Sequence, residues 1–214
     1  GYLGTFTDRP VLDRDATVHA MDLIYRPSDK LRFDTILINS QVNQLNRDID
    51  AGNAFRFRLT ASPNKNRYHD IGIFYFDENL DITDMGYQME NNWLFVGAQN
   101  GLKYTDFSDS SVFNSNIFEL GVGYEANGDF DKAADFTYLS YKGNFKNSSF
   151  IEIVNFYRTP SKDFWITRKN KDAPFVKKPE NYGFNFQFSG PSKQFFNYFL
   201  EMKREKGSQW RSAM

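Results

Sequence analysis

The sequence predicts an all-β chain, an antiparallel up-and-down transmembrane β-barrel of about eleven strands, and three observations predict it. Side chains alternate with a period of two. In residues 53–62, NAFRFRLTAS, Phe55, Phe57, Leu59 and Ala61 fall on one face, and Arg56, Arg58, Thr60 and Ser62 on the other. The connections between such segments alternate short and long. Aromatic residues make up 18% of the chain while its mean hydropathy is only −0.62, as expected of a wall that is greasy outside and wet inside.

Eleven extended segments follow in order. The first, near 1–7, opens on GYLGTFT and ends before Pro10, and the second, 16–26, carries Asp22 in mid-strand and stops at Pro27. After the short PSDK turn, segment 31–42 holds Arg32 and Asp34. The next, 53–62, stops at Pro63, and 67–76 holds Asp70 and ends on IFYF. Residues 91–107 begin with the other four-residue apolar patch, WLFV; Asn100-Gly101 inside them resembles a tight hairpin turn, but one long strand preserves the alternation of connections. In 113–125, Phe118, Leu120, Val122 and Tyr124 oppose Glu119, Gly121, Gly123 and Glu125. Segments 134–143 and 149–158 carry apolar residues on both faces, which suggests that both are covered. In 182–189, Tyr182, Phe184, Phe186 and Phe188 oppose Gly183, Asn185, Gln187 and Ser189, and in 194–204 Phe196, Tyr198, Leu200 and Met202 repeat the pattern. All seven prolines, which lack the N–H a ladder needs, fall between these segments.

Composition narrows the function classes. The 214 residues suit one large β domain or two small ones, and 26 basic against 27 acidic residues leave a formal charge of −1, so nothing global recruits nucleic acid. Cysteine is absent, which removes thiol nucleophiles, thiolate metal sites and disulfides. No run approaches the 18 apolar residues of a spanning helix. The opening reads as strand rather than as a secretion leader, so the sequence is expected to be an internal piece of a longer protein. A soluble β-sandwich or lipocalin-like barrel, with its apolar face packed inward, is the alternative architecture.

On a lipid face a mid-plane Arg costs about 2–4 kcal/mol, so the charged residues belong in the lumen. The expected lumen-lining set is Asp22, Arg32, Asp34, Arg56, Arg58, Asp70, Glu119 and Glu125, where it would set ionic selectivity. The expected lipid-facing set is Phe55, Phe57, Leu59, Phe118, Leu120, Val122, Tyr124, Phe184, Phe186, Phe196, Tyr198 and Leu200.

Four stretches, TVHAMDLIYRPSDKLRF (17–33), GNAFRFRLTAS (52–62), NLDITDMGYQME (79–90) and DFWITRKNKDAPFVKKPENYGFNFQFSGPSK (163–193), carry a family resemblance. They resemble the C-terminal β-barrel of a bacterial outer-membrane protein family of unassigned function that usually carries an N-terminal family-nine-type carbohydrate-binding module. The resemblance implies an outer-membrane location and lipid or lipopolysaccharide as surroundings. The sequence departs from the family's form in lacking the module and in ending QWRSAM without a terminal aromatic. Eleven is odd where bacterial barrels use even strand numbers, so further strands or another chain would close the cylinder.

The remaining constellations have bland readings. His19 and His69 lie on different strands with no ligand spacing, so no metal and no cofactor is expected. The acidic loop Asp77, Glu78, Asn79, Asp81 and Asp84 lacks the spacing of an EF-hand and reads as a solvated extracellular loop. Asp22 with Asp34, or Glu119 with Glu125, would suit glycoside hydrolysis only at a defined separation, and cross-strand pairing with Arg32, Arg56 and Arg58 explains them better. No catalytic residue is assigned. Arg158, Lys162, Trp165, Arg168, Lys169 and Lys171 form a basic, aromatic loop suited to an anionic glycan, a lipopolysaccharide phosphate or a partner protein. The functional expectation is a pore, or a membrane platform for a saccharide-handling module or partner complex. A soluble lectin-like domain and a membrane-linked glycan hydrolase are the alternatives.

Overall fold

The structure, a computed structural model, describes residues 1–44, 49–83, 92–163, 176–191 and 199–206. In chain order the strands are β1 (Tyr2–Arg9), β2 (Arg14–Ser28), β3 (Leu31–Gln44), β4 (Asp50–Asn64), β5 (Arg67–Phe76), β6 (Trp93–Tyr104) and β7 (Phe113–Ala126). They continue as β8 (Lys132–Phe145), β9 (Phe150–Arg158), β10 (Ser161–Asp163), β11 (Val176–Lys178), β12 (Asn181–Ser189) and β13 (Phe199–Lys206). Among the described residues the only helical element is the single 3-10 turn Pro10–Leu12.

Eleven strands form one antiparallel sheet in the order β1-β2-β3-β4-β5-β6-β7-β8-β9-β12-β13, and β10 and β11 form a separate ribbon. The sheet has two free edges, β1 and β13, and is not closed into a barrel. It is also not a sandwich, because no second large sheet packs on it among the described residues. Asn100 and Gly101 lie within β6, paired to His69 and Tyr68, so no hairpin turn forms there. The prolines behave differently from expectation at two places. Pro27 lies in β2 and Pro63 in β4, each where the register shifts, between Tyr25 and Ser28 and between Ala61 and Asn64. A bulge tolerates a missing N–H where a regular ladder would not.

The register sorts side chains across the whole sheet. Phe33, Leu59, Ile71, Ala98 and Val122 stand in one row of directly paired residues, and Leu102, Phe118, Tyr141, Ile153, Phe186 and Met202 in another on the same face. Much of this face is uncovered: Leu23 is 63% exposed, Leu120 53%, Leu139 54% and Leu200 50%. The opposite face carries the charges together with a second set of rings.

Buried apolar residues are few, and most are small: Ala16, Val18, Val42, Ala54, Leu80, Ala126, Ala133 and Ala134. All lie toward the end of the sheet that carries the long connections. Leu80 is the one large side chain that is fully buried among them, at 1% exposure. The loop after β5 places it there. Asp81 donates its N–H to the Ser40 hydroxyl at 3.0 Å. The Asn79–Leu80 backbone lies so close over Gly52 that a Cβ there would overlap it. Ser40 and Gly52 are paired neighbours on β3 and β4, so the loop is pinned onto the charged face.

Leu80→Ala is expected to lower stability by about 2–5 kcal/mol, the usual range for emptying a fully buried leucine site, whereas Leu120→Ala, on the uncovered face, should cost far less in detergent. Denaturant midpoints of the two variants check the contrast.

Candidate functional site on the charged face

All eight residues expected to line a lumen share one face. Asp22 pairs with Ile36, which pairs with Arg56; Asp34 pairs with Arg58, Arg32 with Thr60, Thr60 with Asp70, and Gly101 with Glu119. Glu125 stands beside Phe95, in the row that continues through Phe74 to Arg56. The described residues of the expected lipid-facing set, Phe55, Phe57, Leu59, Phe118, Leu120, Val122, Tyr124, Phe184, Phe186 and Leu200, all take the opposite face. Phe196 and Tyr198 lie outside the described residues.

The charges on the first face are mostly paired. Arg32 reaches Asp34 at 2.6 and 3.0 Å, and Arg58 reaches both carboxylate oxygens of Asp70 at 3.1 and 3.3 Å. The Thr60 hydroxyl also donates to Asp70. Glu119 accepts from the Tyr68 hydroxyl, from the Gln99 amide at 2.6 Å and from the Ser140 hydroxyl at 3.0 Å, and the Tyr138 hydroxyl donates to Gln99 at 2.7 Å. Glu125 pairs with Arg158. Asp34, Glu119 and Glu125, three of the carboxylates weighed as glycosidase candidates, therefore each have a basic or hydrogen-bonding partner. Arg56 differs: its guanidinium lies 5.4 Å over the Phe74 ring and makes no ion pair among the described residues.

The rings on this face do not follow from simple alternation, although they shape it most. Gly72, Gly97 and Gly123 are directly paired, forming a row without side chains across β5, β6 and β7. Neighbouring rings lean into the space. Phe136 lies over Gly123, Tyr138 over Gly121, Tyr68 over Gly101 and Phe95 over Gly97, so that a Cβ at any of these glycines would overlap the ring. Covering a glycine with a neighbouring ring restores contact that the bare backbone lacks. Phe95 and Phe136 stack at 5.6 Å across the intervening strand, and Phe74 meets Phe95 edge-on at 5.4 Å. The two segments with apolar residues on both faces are thereby explained in part: Phe136 and Tyr138 fill over glycines of β7, while Leu139 and Tyr141 stay on the apolar face.

Between these rings the sheet holds a hollow of about 160 Å³. Arg56, Arg58, Asp70, Gln99, Phe74, Phe95, Phe136 and Tyr138 line it, with the glycine row beneath. The signal that would have found it is the spacing of glycine and phenylalanine two apart, as in Gly72-Ile73-Phe74 and Phe95-Val96-Gly97.

The loops depart from expectation. The acidic loop is folded onto the sheet rather than solvated: Arg14 reaches Asp81 at 2.9 Å, and Asp81 also accepts from the amide and hydroxyl of Thr83 at 3.0 and 2.6 Å. Burial works against the Asp81 carboxylate, but the Thr83 donors and the Arg14 charge outweigh it and hold its pKa below the ordinary carboxylate value. Asp84 lies outside the described residues. Of the basic loop, Arg158 turns to Glu125, and Lys178 of β11 pairs with Asp163 of β10, beside Lys162. Trp165, Arg168, Lys169 and Lys171 lie outside the described residues. His19 and His69 sit on the apolar face, paired with Asn39 and Ala61, and His19 Nδ1 shares a hydrogen bond with the Tyr2 hydroxyl at 2.7 Å. No group of three His, Cys, Asp or Glu suited to a metal ion occurs among the described residues.

Two outcomes follow from this geometry. Gly123→Ala is expected to displace the Phe136 ring and cost about 1–3 kcal/mol by overpacking, read as a lowered unfolding midpoint. Because the folded pKa of Asp81 is depressed below its ordinary value of 3.8, its latch contributes fully above that value and is lost as pH falls through the folded pKa. Asp81→Asn should therefore be less stable than the parent at pH 7, and the two stability curves should converge in acid below about pH 4.

No curated protein and no solved structure matches the chain. Residues 4–213 match the family described as a domain of unknown function, DUF5916, and because that match covers nearly the whole length, the chain belongs to this family.

Proposed function

We propose that this chain forms part of the wall of an outer-membrane β-barrel, acting as a pore or as a membrane platform for a saccharide-handling module or partner complex. The observation that carries the reading is the sorting of the two faces over eleven strands: bulky apolar side chains stand uncovered on one face while charged and hydrogen-bonded groups occupy the other. A water-soluble domain rarely leaves so broad an apolar surface bare.

Further support comes from which contacts each face makes. On the charged face, side chains reach across a skipped strand: Tyr68 to Glu119, Tyr138 to Gln99 and Arg158 to Glu125. On the apolar face, ring contacts such as Phe33–Phe57 and Phe118–Tyr141 join adjacent strands. That difference suits a sheet curled with its charges inward. Nine of the eleven sheet strands, with 9 to 15 residues each, meet the roughly 9–11 residues that a tilted strand needs to cross a bilayer, and the two edge strands have 8. The free edges β1 and β13 would be intolerable in lipid, so in this reading further strands or a second chain complete the cylinder. The bacterial outer-membrane resemblance of the four sequence stretches points the same way, and it supplies the link to carbohydrate.

The experiment compares the two faces directly. Phe57→Arg is expected to impair membrane assembly, by about 2–4 kcal/mol if it lies near mid-plane, while Arg58→Ser should assemble normally and alter any conductance in planar bilayers. Extraction only by detergent, with heat-modifiable gel mobility, is the expected behaviour of the parent protein. A monodisperse protein in detergent-free buffer, or equal tolerance of both substitutions, would overturn the reading.

A further inference from the structure

We propose that the hollow over the glycine row binds a small aromatic carboxylate, a single ring carrying one anionic group. The proposal concerns the charged face alone and does not depend on what lies against the apolar face.

Charge selects the anion. Arg58 is neutralised by its two-pronged pairing with Asp70, whereas Arg56 holds a full positive charge with no carboxylate partner among the described residues. The Phe74 ring beneath the Arg56 guanidinium orients it without consuming its N–H donors. A planar guanidinium with free donors takes a carboxylate better than any other common anion of this size, because two parallel N–H···O bonds form at once.

The volume gives room for one ring: the hollow measures about 160 Å³ and is open on one side, and a closed apolar cavity of roughly 150 Å³ holds benzene. The walls select an aromatic ring over a sugar ring. Phe74, Phe95, Phe136 and Tyr138 offer faces and edges for offset or edge-on contact. The polar groups there are already engaged, Tyr138 with Gln99 and Gln99 with Glu119. A sugar acid would bring several hydroxyl groups into a space with few uncommitted partners, and each left unpaired is costly.

The test uses the full chain in an aliphatic detergent, titrated with sodium benzoate and followed by saturation-transfer NMR. Benzoate should bind, and benzamide, its neutral isostere, and glucuronate should each bind at least about tenfold more weakly. Arg56→Gln should weaken benzoate by about tenfold and leave benzamide unchanged. Absence of benzoate binding up to about 10 mM, equal binding of benzamide, or glucuronate binding as tightly as benzoate would overturn the proposal. Should Arg56→Gln fail to fold, the benzoate to benzamide ratio on the parent protein decides alone. The readout is ligand binding rather than membrane insertion, so its failure is separable from failure of the barrel reading.

Discussion

Strand register is the constraint on which everything else depends. Side chains alternate with a period of two, so a slip of one residue in any strand would carry its charges to the apolar face and its leucines to the charged one. From Tyr2 opposite Met21 to Phe186 opposite Met202, the pairing keeps the two classes largely apart; at the end of β13 Arg204 and Lys206 stand on the apolar face, opposite Phe184 and Tyr182. The irregularities are confined to strand ends, beside Pro27 in β2 and Pro63 in β4 and near the ends of β7. There a shift disturbs no more than a residue or two. Register is in turn held by features on the charged face that a slip would break together: Arg58 on Asp70, the three donors on Glu119, and rings seated over glycines.

Those seated rings explain why the charged face is neither open nor packed like a soluble core. Glycine rows across β5, β6 and β7 remove bulk, and aromatic side chains from the same or adjacent strands refill part of it. The result is a face whose charges are mostly paired, with a small hollow and one guanidinium, that of Arg56, without an acidic partner among the described residues. Ile24, Ile36, Ile38, Phe76, Trp93 and Phe156 share this face with those rings.

The strands and their facing were legible in the sequence because both follow from a two-residue period and from proline and turn chemistry, which are local. Residues 53–62 alone show the facing of β4. Asn100 and Gly101 do lie inside β6, although the expected rhythm of connections fails just after it, with eight residues between β6 and β7 and five between β7 and β8. The aromatic content of the charged face was not legible. Phe74 and Phe136 look like exceptions to alternation until the glycines across from or beside them are known to be in register. The fate of the acidic loop was hidden for a similar reason: Leu80 lies in a polar stretch, and only the small residues of β3 and β4, distant in sequence, reveal a place for it. The open edges, by contrast, agree with an odd strand count.

Connectivity has a kinetic consequence. After β1, every strand of the large sheet except β12 pairs with the strand directly before it in the chain, so hairpins can be added one after another, the 16-residue connection between β5 and β6 being the costly closure among them. The join between β9 and β12 breaks that sequence, because residues 159–180 intervene. Closing such a span costs about 2 kcal/mol more than closing a two-residue turn. The meander therefore divides into an amino-terminal part that zips together locally and a carboxy-terminal pair that docks late, with β9 left as a transient edge between the two events.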